Sequence, residues 1–226
     1  GHGIHSPYVF EFVNRVLFNG DRVRVPASLS DIHRELRNNP ERIPGGERTV
    51  SSFVRSASVS REFGALLFRI ASWMKPGMIL ELGTGSGAIL IALASENTQH
   101  TYWGTDISAA AIQLARRNAE SHGLAASIQF LIADWFAPFA VSAEPFDMII
   151  SNPPYIRSGE LKRLQPEIQA FEPLEALNGS VDGLRCLRHI IQSAHLYLKP
   201  GGMILLEMGH DQKVPLKQVI QHWLTD

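Results

Sequence analysis

Cysteine is nearly missing from this 226-residue chain. The single one, Cys186, rules out an internal disulfide and a cysteine-built zinc site. It falls in the apolar pattern Leu184, Leu187, Ile190 and Ile191, which suits a buried thiol better than a nucleophile. No metal site is expected elsewhere. No apolar run approaches the roughly 18 residues of a membrane span, and no signal peptide opens the chain. A soluble, cytoplasmic chain with no membrane partner is therefore expected. Charge of one sign is also lacking: the formal net charge is -1, which excludes an overall polyanion-binding signature. No internal repeat and no low-complexity segment is found. The oligomeric state is not encoded in any pattern we recognise.

What charge there is lies unevenly. Residues 1–75 hold 11 Lys+Arg against 7 Asp+Glu, and residues 76–226 hold 10 against 15. Most of the basic residues in the first part are arginines, Arg22, Arg24, Arg34, Arg37, Arg42, Arg48, Arg55 and Arg61 among them. They read either as a solvated helical surface or as a surface for RNA. Helical periodicity dominates this part. Val9, Phe12, Val13, Val16 and Leu17 share one face, and a second helix is expected from about Ser60 to Met74. His5, beside Ser6-Pro7, reads as a cap or packing residue.

From Met78 the rhythm changes. Short apolar strands are predicted at Met78–Leu82, Thr101–Ile107, Ile128–Ala133, Phe146–Ser151 and Met203–Met208. Helices are predicted at about Ser86–Ser95, Ala109–His122, Leu184–Leu198 and Val214–Leu224. Strands alternating with helices indicate an α/β fold with a mostly parallel, doubly wound sheet of order 3-2-1-4-5. Two regions follow: a helical N-terminal part, 1–75, and the α/β domain, 76–226.

The strongest local feature is Glu81-Leu-Gly-Thr-Gly-Ser-Gly87 at the end of the first strand. Gly83, Gly85 and Gly87, with Thr84 between them, allow a tight turn that a ligand can approach closely. The spacing is GxGxG rather than the GxGxxG of dinucleotide sites, and an acid precedes the first glycine by two residues. That suits a nucleoside without pyrophosphate, and S-adenosylmethionine fits, its ammonium or sulfonium side oriented by Glu81. Asp106, 19 residues after Gly87, is placed to accept from ribose hydroxyls, with Ile107 following it. Asp134 ends the third strand and is placed to accept from an adenine amino group, with Trp135 or Phe136 against the ring. Each acid alone could equally be a helix cap or turn residue.

The fourth strand ends in Ser151-Asn152-Pro153-Pro154-Tyr155. This can be a rigid turn. Its position beside the switch point gives it a chemical reading as well. An amide nitrogen is a poor nucleophile because its lone pair is delocalised into the carbonyl. The Asn152 side-chain oxygen and the Pro153 carbonyl supply two acceptors for its N–H groups. Tyr155 packs on the planar group, so methyl transfer becomes chiefly a matter of positioning.

Asp147–Tyr155 (DMIISNPPY) resembles amino- and amide-directed class I methyltransferases. Phe171–Leu177 (FEPLEAL), Asp182-Gly183-Leu184, Lys199–Gly202 and Leu206–Gln212 resemble the HemK/PrmC family over about residues 78–220. That resemblance implies a Rossmann-like fold, S-adenosylmethionine as cofactor, and a Gly-Gly-Gln glutamine of a peptide-chain release factor as acceptor. It also implies that Asn152, Pro153, Pro154 and Tyr155 form the glutamine pocket, with Asn152 near the cofactor too and Glu172 and Pro173 lining its neighbourhood. Glu172 could otherwise be a surface acid, and Glu207 a strand-end acid with a structural hydrogen bond. Gly3–Phe10 and Phe63–Arg69 instead resemble a less characterised group of small bacterial methyltransferases. The chain stops where class I methyltransferases usually add a final β-hairpin. The alternative acceptor is an exocyclic amine of adenine or guanine in RNA or DNA, stacked on Tyr155.

Overall fold

The computed structural model describes residues 69–225 except 72, 98, 142–145 and 165–172. The helices expected within 1–68, with His5 and the arginines listed above, lie outside the described residues, as does Glu172. Residues 69–71 and 73–74 are helical and lead through Lys75 into the sheet.

Five parallel strands form one sheet of order β3-β2-β1-β4-β5, the order the sequence predicts. The strands are β1 (Met78–Leu82), β2 (Thr101–Asp106), β3 (Ile128–Ile132), β4 (Phe146–Ser151) and β5 (Leu198–Leu206). The helices are α1 (Ala88–Glu96), α2 (Ala109–Ser121), α3 (Leu174–Leu177), α4 (Arg185–Ala194) and α5 (Lys213–Thr225).

The central strands are apolar on both faces because helices cover both. Side chains alternate across a strand, and the two cores divide accordingly. Ile79, Met148 and Ile150 pack with Leu90, Ile91 and Ile112 of α1 and α2. Leu80, Leu82 and Ile149 pack on the opposite face with Ile190 and Ala194 of α4. A smaller cluster of Leu184, Leu187 and Leu216 seats α4 against α5, with half-buried Tyr155 and Met208 beside it.

Several boundaries differ from the sequence expectation, most by one or two residues, and three bear on the fold. Helix α1 begins at Ala88 rather than Ser86 because Gly87 adopts φ 77°. Helix α4 ends at Ala194, and the residues expected to extend it become a turn and the start of β5. Strand β5 begins at Leu198, not Met203, so Lys199-Pro-Gly-Gly202 is strand rather than turn. Proline is tolerated there because β5 is the sheet edge. The edge register shifts between Phe146 and Met148, where Lys199 Nζ meets Asp147 Oδ2 at 3.0 Å. The same Asp147 oxygen accepts from the Met78 amide at 2.8 Å. Asp147 and Lys199 thus fasten the amino end of the sheet, away from the strand ends that carry the site residues.

Candidate active site

At the carboxyl end of β1 the chain turns sharply. The amides of Gly83 and Thr84 both donate to the Thr105 carbonyl, at 2.8 and 2.9 Å, which folds the glycine loop back onto β2. Gly83, Gly85 and Gly87 have φ of 70°, 56° and 77°. That left-handed region is where a side chain costs most. At Gly87 there is a second reason: a Cβ would sit 3.1 Å from both the Ala115 Cβ and the Phe130 ring.

Glu81 is buried beneath this loop, and Thr84 Oγ1 donates to its Oε2 at 2.6 Å. Burial pushes its pKa up to about 8, against the Thr84 hydrogen bond that lowers it, with nearby Asp106 adding to the rise. The folded state therefore holds a proton that the unfolded chain releases near pH 4.5. Stability on this account falls as pH rises through the window from about 4.5 to about 8. Glu81→Gln removes the penalty. Its Tm advantage over the parent should be small at pH 5 and grow to the order of 10 °C by pH 8. A pH-independent difference in thermal denaturation would contradict this.

Asp106, at the end of β2, is half-buried and already engaged. Its Oδ2 accepts from the Gly85 amide at 2.9 Å and its Oδ1 from the Ser108 amide at 2.8 Å. Its pKa is raised by burial, with those two hydrogen bonds opposing. Each carboxylate oxygen has two lone-pair directions, so capacity remains for further donors. The carboxylate thus joins the glycine loop to the start of α2. Beside it Ile107 is 74% exposed and, at the end of β3, Ile132 is 58% exposed. Ile132 is the register partner of Asp106, so both exposed apolar residues lie next to that acid. Ile132 carries no sequence signal, being one more apolar residue in a strand.

Asp134 is exposed at the end of β3. Trp135 has φ 47° and its ring lies 5.6 Å from that of His189 on α4. Phe136, the other ring expected against a base, is buried instead and stacks on Tyr197 at 4.5 Å, 3° from parallel. It belongs to the core.

Leu82 and Ser151 are paired neighbours on β1 and β4, so the glycine loop and Asn152 leave the sheet side by side at the switch point. Ser151 Oγ donates to the Leu82 carbonyl at 2.8 Å, reinforcing this. The half-buried side chain of Asn152 makes no hydrogen bond among the described residues. Pro153 is buried, and Pro154 and Tyr155 are half-buried.

Sequence reasoning missed how Tyr155 is held. Its hydroxyl donates to Glu207 Oε1 at 3.1 Å. Its carbonyl accepts from Gln212 Nε2 at 2.8 Å, and the same amide group reaches the Gly183 carbonyl at 3.2 Å. Gln212 Oε1 in turn accepts from the Gly209 amide at 2.9 Å. Burial first, and then the Glu207 carboxylate, push the Tyr155 hydroxyl up to about 12. Past Tyr155, Ile156 bridges to Asn178 in a short parallel ribbon, with Gly179 N–H donating to the Ile156 carbonyl at 2.8 Å. Pro173 is exposed at the start of α3, the helix that runs into this ribbon.

Gly183 is the tightest point. It has φ 75°, and a Cβ there would lie 2.5 Å from the Tyr155 carbonyl while also striking Gln212. Gly183→Ala should cost about 2–4 kcal/mol in denaturant unfolding, from strain plus the displaced Gln212 bonds. A variant as stable as the parent would contradict the packing described.

A five-stranded parallel sheet of order β3-β2-β1-β4-β5, with a glycine loop after β1 and an acid at the end of β2, is a Rossmann-like fold. Two solved structures share it: the O-methyltransferase TomG from Streptomyces achromogenes and cofactor-bound Rv0187 from MTB. Each is 16% identical, with TM-scores of 0.53 and 0.50, covering 94% and 95% of this chain and 83% of their own. Residues 75–225 match the methyltransferase domain family, and the chain belongs to it. Among curated relatives, the release factor glutamine methyltransferases of Gloeobacter violaceus and Xylella fastidiosa are each 42% identical over 142 residues, 63% of this chain. The Rhodospirillum rubrum protein of the same name is 42% identical over 136 residues. The chain spans about half the length of these relatives or less: 49%, 50% and 41%.

Proposed function

We propose that this chain transfers a methyl group from S-adenosylmethionine to the side-chain amide nitrogen of a protein glutamine, in a peptide-chain release factor or related translation protein. The observation that carries the reading is the Asn152 side chain at the β1/β4 switch point, next to the glycine loop and without a hydrogen bond among the described residues. An acceptor oxygen with no described partner beside a cofactor crevice suits a donor-rich planar nitrogen.

The crevice residues fit the cofactor. Glu81 would lie toward its cationic side, the glycine loop would let its backbone approach, and Asp106 would accept from its ribose. Ile107 and Ile132 offer an apolar wall for the adenine, with Asp134 and Trp135 at its rim. The cofactor supplies an electrophilic methyl on a positive sulfur. What remains for the protein is orientation. Asn152 Oδ1 and the Pro153 carbonyl accept the two amide N–H groups, and Tyr155 holds the amide plane. Pro153 and Pro154 carry no amide hydrogen to compete for these acceptors.

Charge at the strand ends favours a protein acceptor over a nucleic acid. Asp106, Asp134 and Glu207 lie there, and a phosphate backbone would meet like charge. The similarity to release factor glutamine methyltransferases supports the same choice. Pro173 and Glu172 are assigned to the neighbourhood of the pocket, and residues 1–75 to recognition of the protein substrate.

Radiolabelled methyl transfer to cell extract, followed by protease or nuclease digestion, tests this. Label released by protease is the expected result. Label released by nuclease would move the acceptor to an exocyclic base amine, and absence of transfer would remove the enzymatic reading.

A further inference from the structure

We propose that Glu207 and Gln212 are positioning residues that grip Tyr155 from opposite ends and so fix the wall of the acceptor pocket. The inference rests on reading that pocket as the seat of a planar amide. The two contacts are unlike in kind. Glu207 takes the hydroxyl at the tip of the ring, 3.1 Å away, and Gln212 takes the main-chain carbonyl at its base, 2.8 Å away. A tyrosine fixed at one end alone can still swing about its side-chain torsions. Fixed at both, it keeps one ring plane.

The grip is itself anchored. The Glu207 amide donates to the Ser151 carbonyl at 3.0 Å, so the acid that holds Tyr155 is tied to the residue preceding Asn152. Gln212 is 1% exposed, with its amide nitrogen on two carbonyls and its oxygen on the Gly209 amide. Arg157 adds a third tie, meeting Asp211 at 2.7 Å across the same junction. The segment from Glu207 to Gln212 therefore acts as a bracket. It connects the end of β5 to the loop after β4, and its two functional side chains converge on one residue. A planar acceptor sandwiched by a ring has little tolerance for tilt, because transfer requires the nitrogen in line with the methyl–sulfur bond.

Glu207 uses one oxygen on Tyr155, so glutamine can replace it as acceptor, whereas alanine cannot. Two measurements on the full chain test the grip. In the first, the protein is labelled with 3-fluorotyrosine, which places fluorine on its 4 tyrosines. Tyr155→Phe assigns the resonance. The Tyr155 signal should move and broaden in Glu207→Ala and stay near its original position in Glu207→Gln. An unchanged signal in Glu207→Ala overturns the grip, whatever the acceptor proves to be.

In the second, methyl transfer to a purified release factor is followed at saturating S-adenosylmethionine. Glu207→Ala should lower kcat roughly 10- to 100-fold while cofactor affinity stays within about threefold, and Glu207→Gln should recover most of the loss. Turnover retained in Glu207→Ala, or lost equally in Glu207→Gln, overturns the proposal. A parent protein that transfers nothing to the glutamine overturns the proposed function instead, and the fluorine spectra then decide the grip alone.

Discussion

Asn152→Ala is expected to reduce methyl transfer by at least about a hundredfold, the scale seen when one preorganised polar partner is taken from a reacting group. Affinity for S-adenosylmethionine should stay within a few fold. Asn152 leaves β4 directly beside the turn that leaves β1, since Leu82 and Ser151 are paired. Its side chain has no hydrogen bond among the described residues, so removing it breaks none within them. The fold should be indifferent and the reaction should not. Stopped turnover with an unchanged calorimetric cofactor isotherm is the predicted pair of results. A retained turnover rate would remove Asn152 from the acceptor pocket.

Asp106→Ala should weaken cofactor binding by about 1–3 kcal/mol through the lost ribose contact alone. The structure adds a second cost. Asp106 also holds the amides of Gly85 and Ser108, so alanine releases the glycine loop and the start of α2 together. Asp106→Asn separates the two effects. Its one remaining carbonyl oxygen can serve one of those amides, and its new N–H₂ faces whatever the lost oxygen held. We expect calorimetry to rank parent tightest, then asparagine, then alanine. Equal affinities across the three would contradict the assignment of Asp106 to the ribose.

Much of the sheet was readable because buried parallel strands leave a plain mark. Strands β1 and β4 have the bounds expected from their apolar runs, since helices cover both faces and turn residues close both ends. The edge strand β5 was harder. Its first residues include Pro200 and two glycines, which spell a turn, and only the pairing of Leu198 with Phe146 makes them strand. Asn152 to Tyr155 were readable because they are consecutive and their chemistry is complete without distant partners. The hold on Tyr155 was not. Glu207 and Gln212 are 52 and 57 residues away, and they reach it only because β5 lies beside β4. Phe136 shows the converse: adjacency to Asp134 suggested a ligand contact, but its ring turns into the core against Tyr197.

Mass mapping of the methylated product decides whether the acceptor atom is the amide nitrogen. A purified release factor carrying its Gly-Gly-Gln loop is incubated with this protein and S-adenosylmethionine, digested and fragmented. The mass of one added methyl group is expected on the side-chain nitrogen of that glutamine, and it should be absent with Asn152→Ala. A methyl group found on another atom, or only on a purine amine when RNA or DNA is supplied in its place, would contradict it.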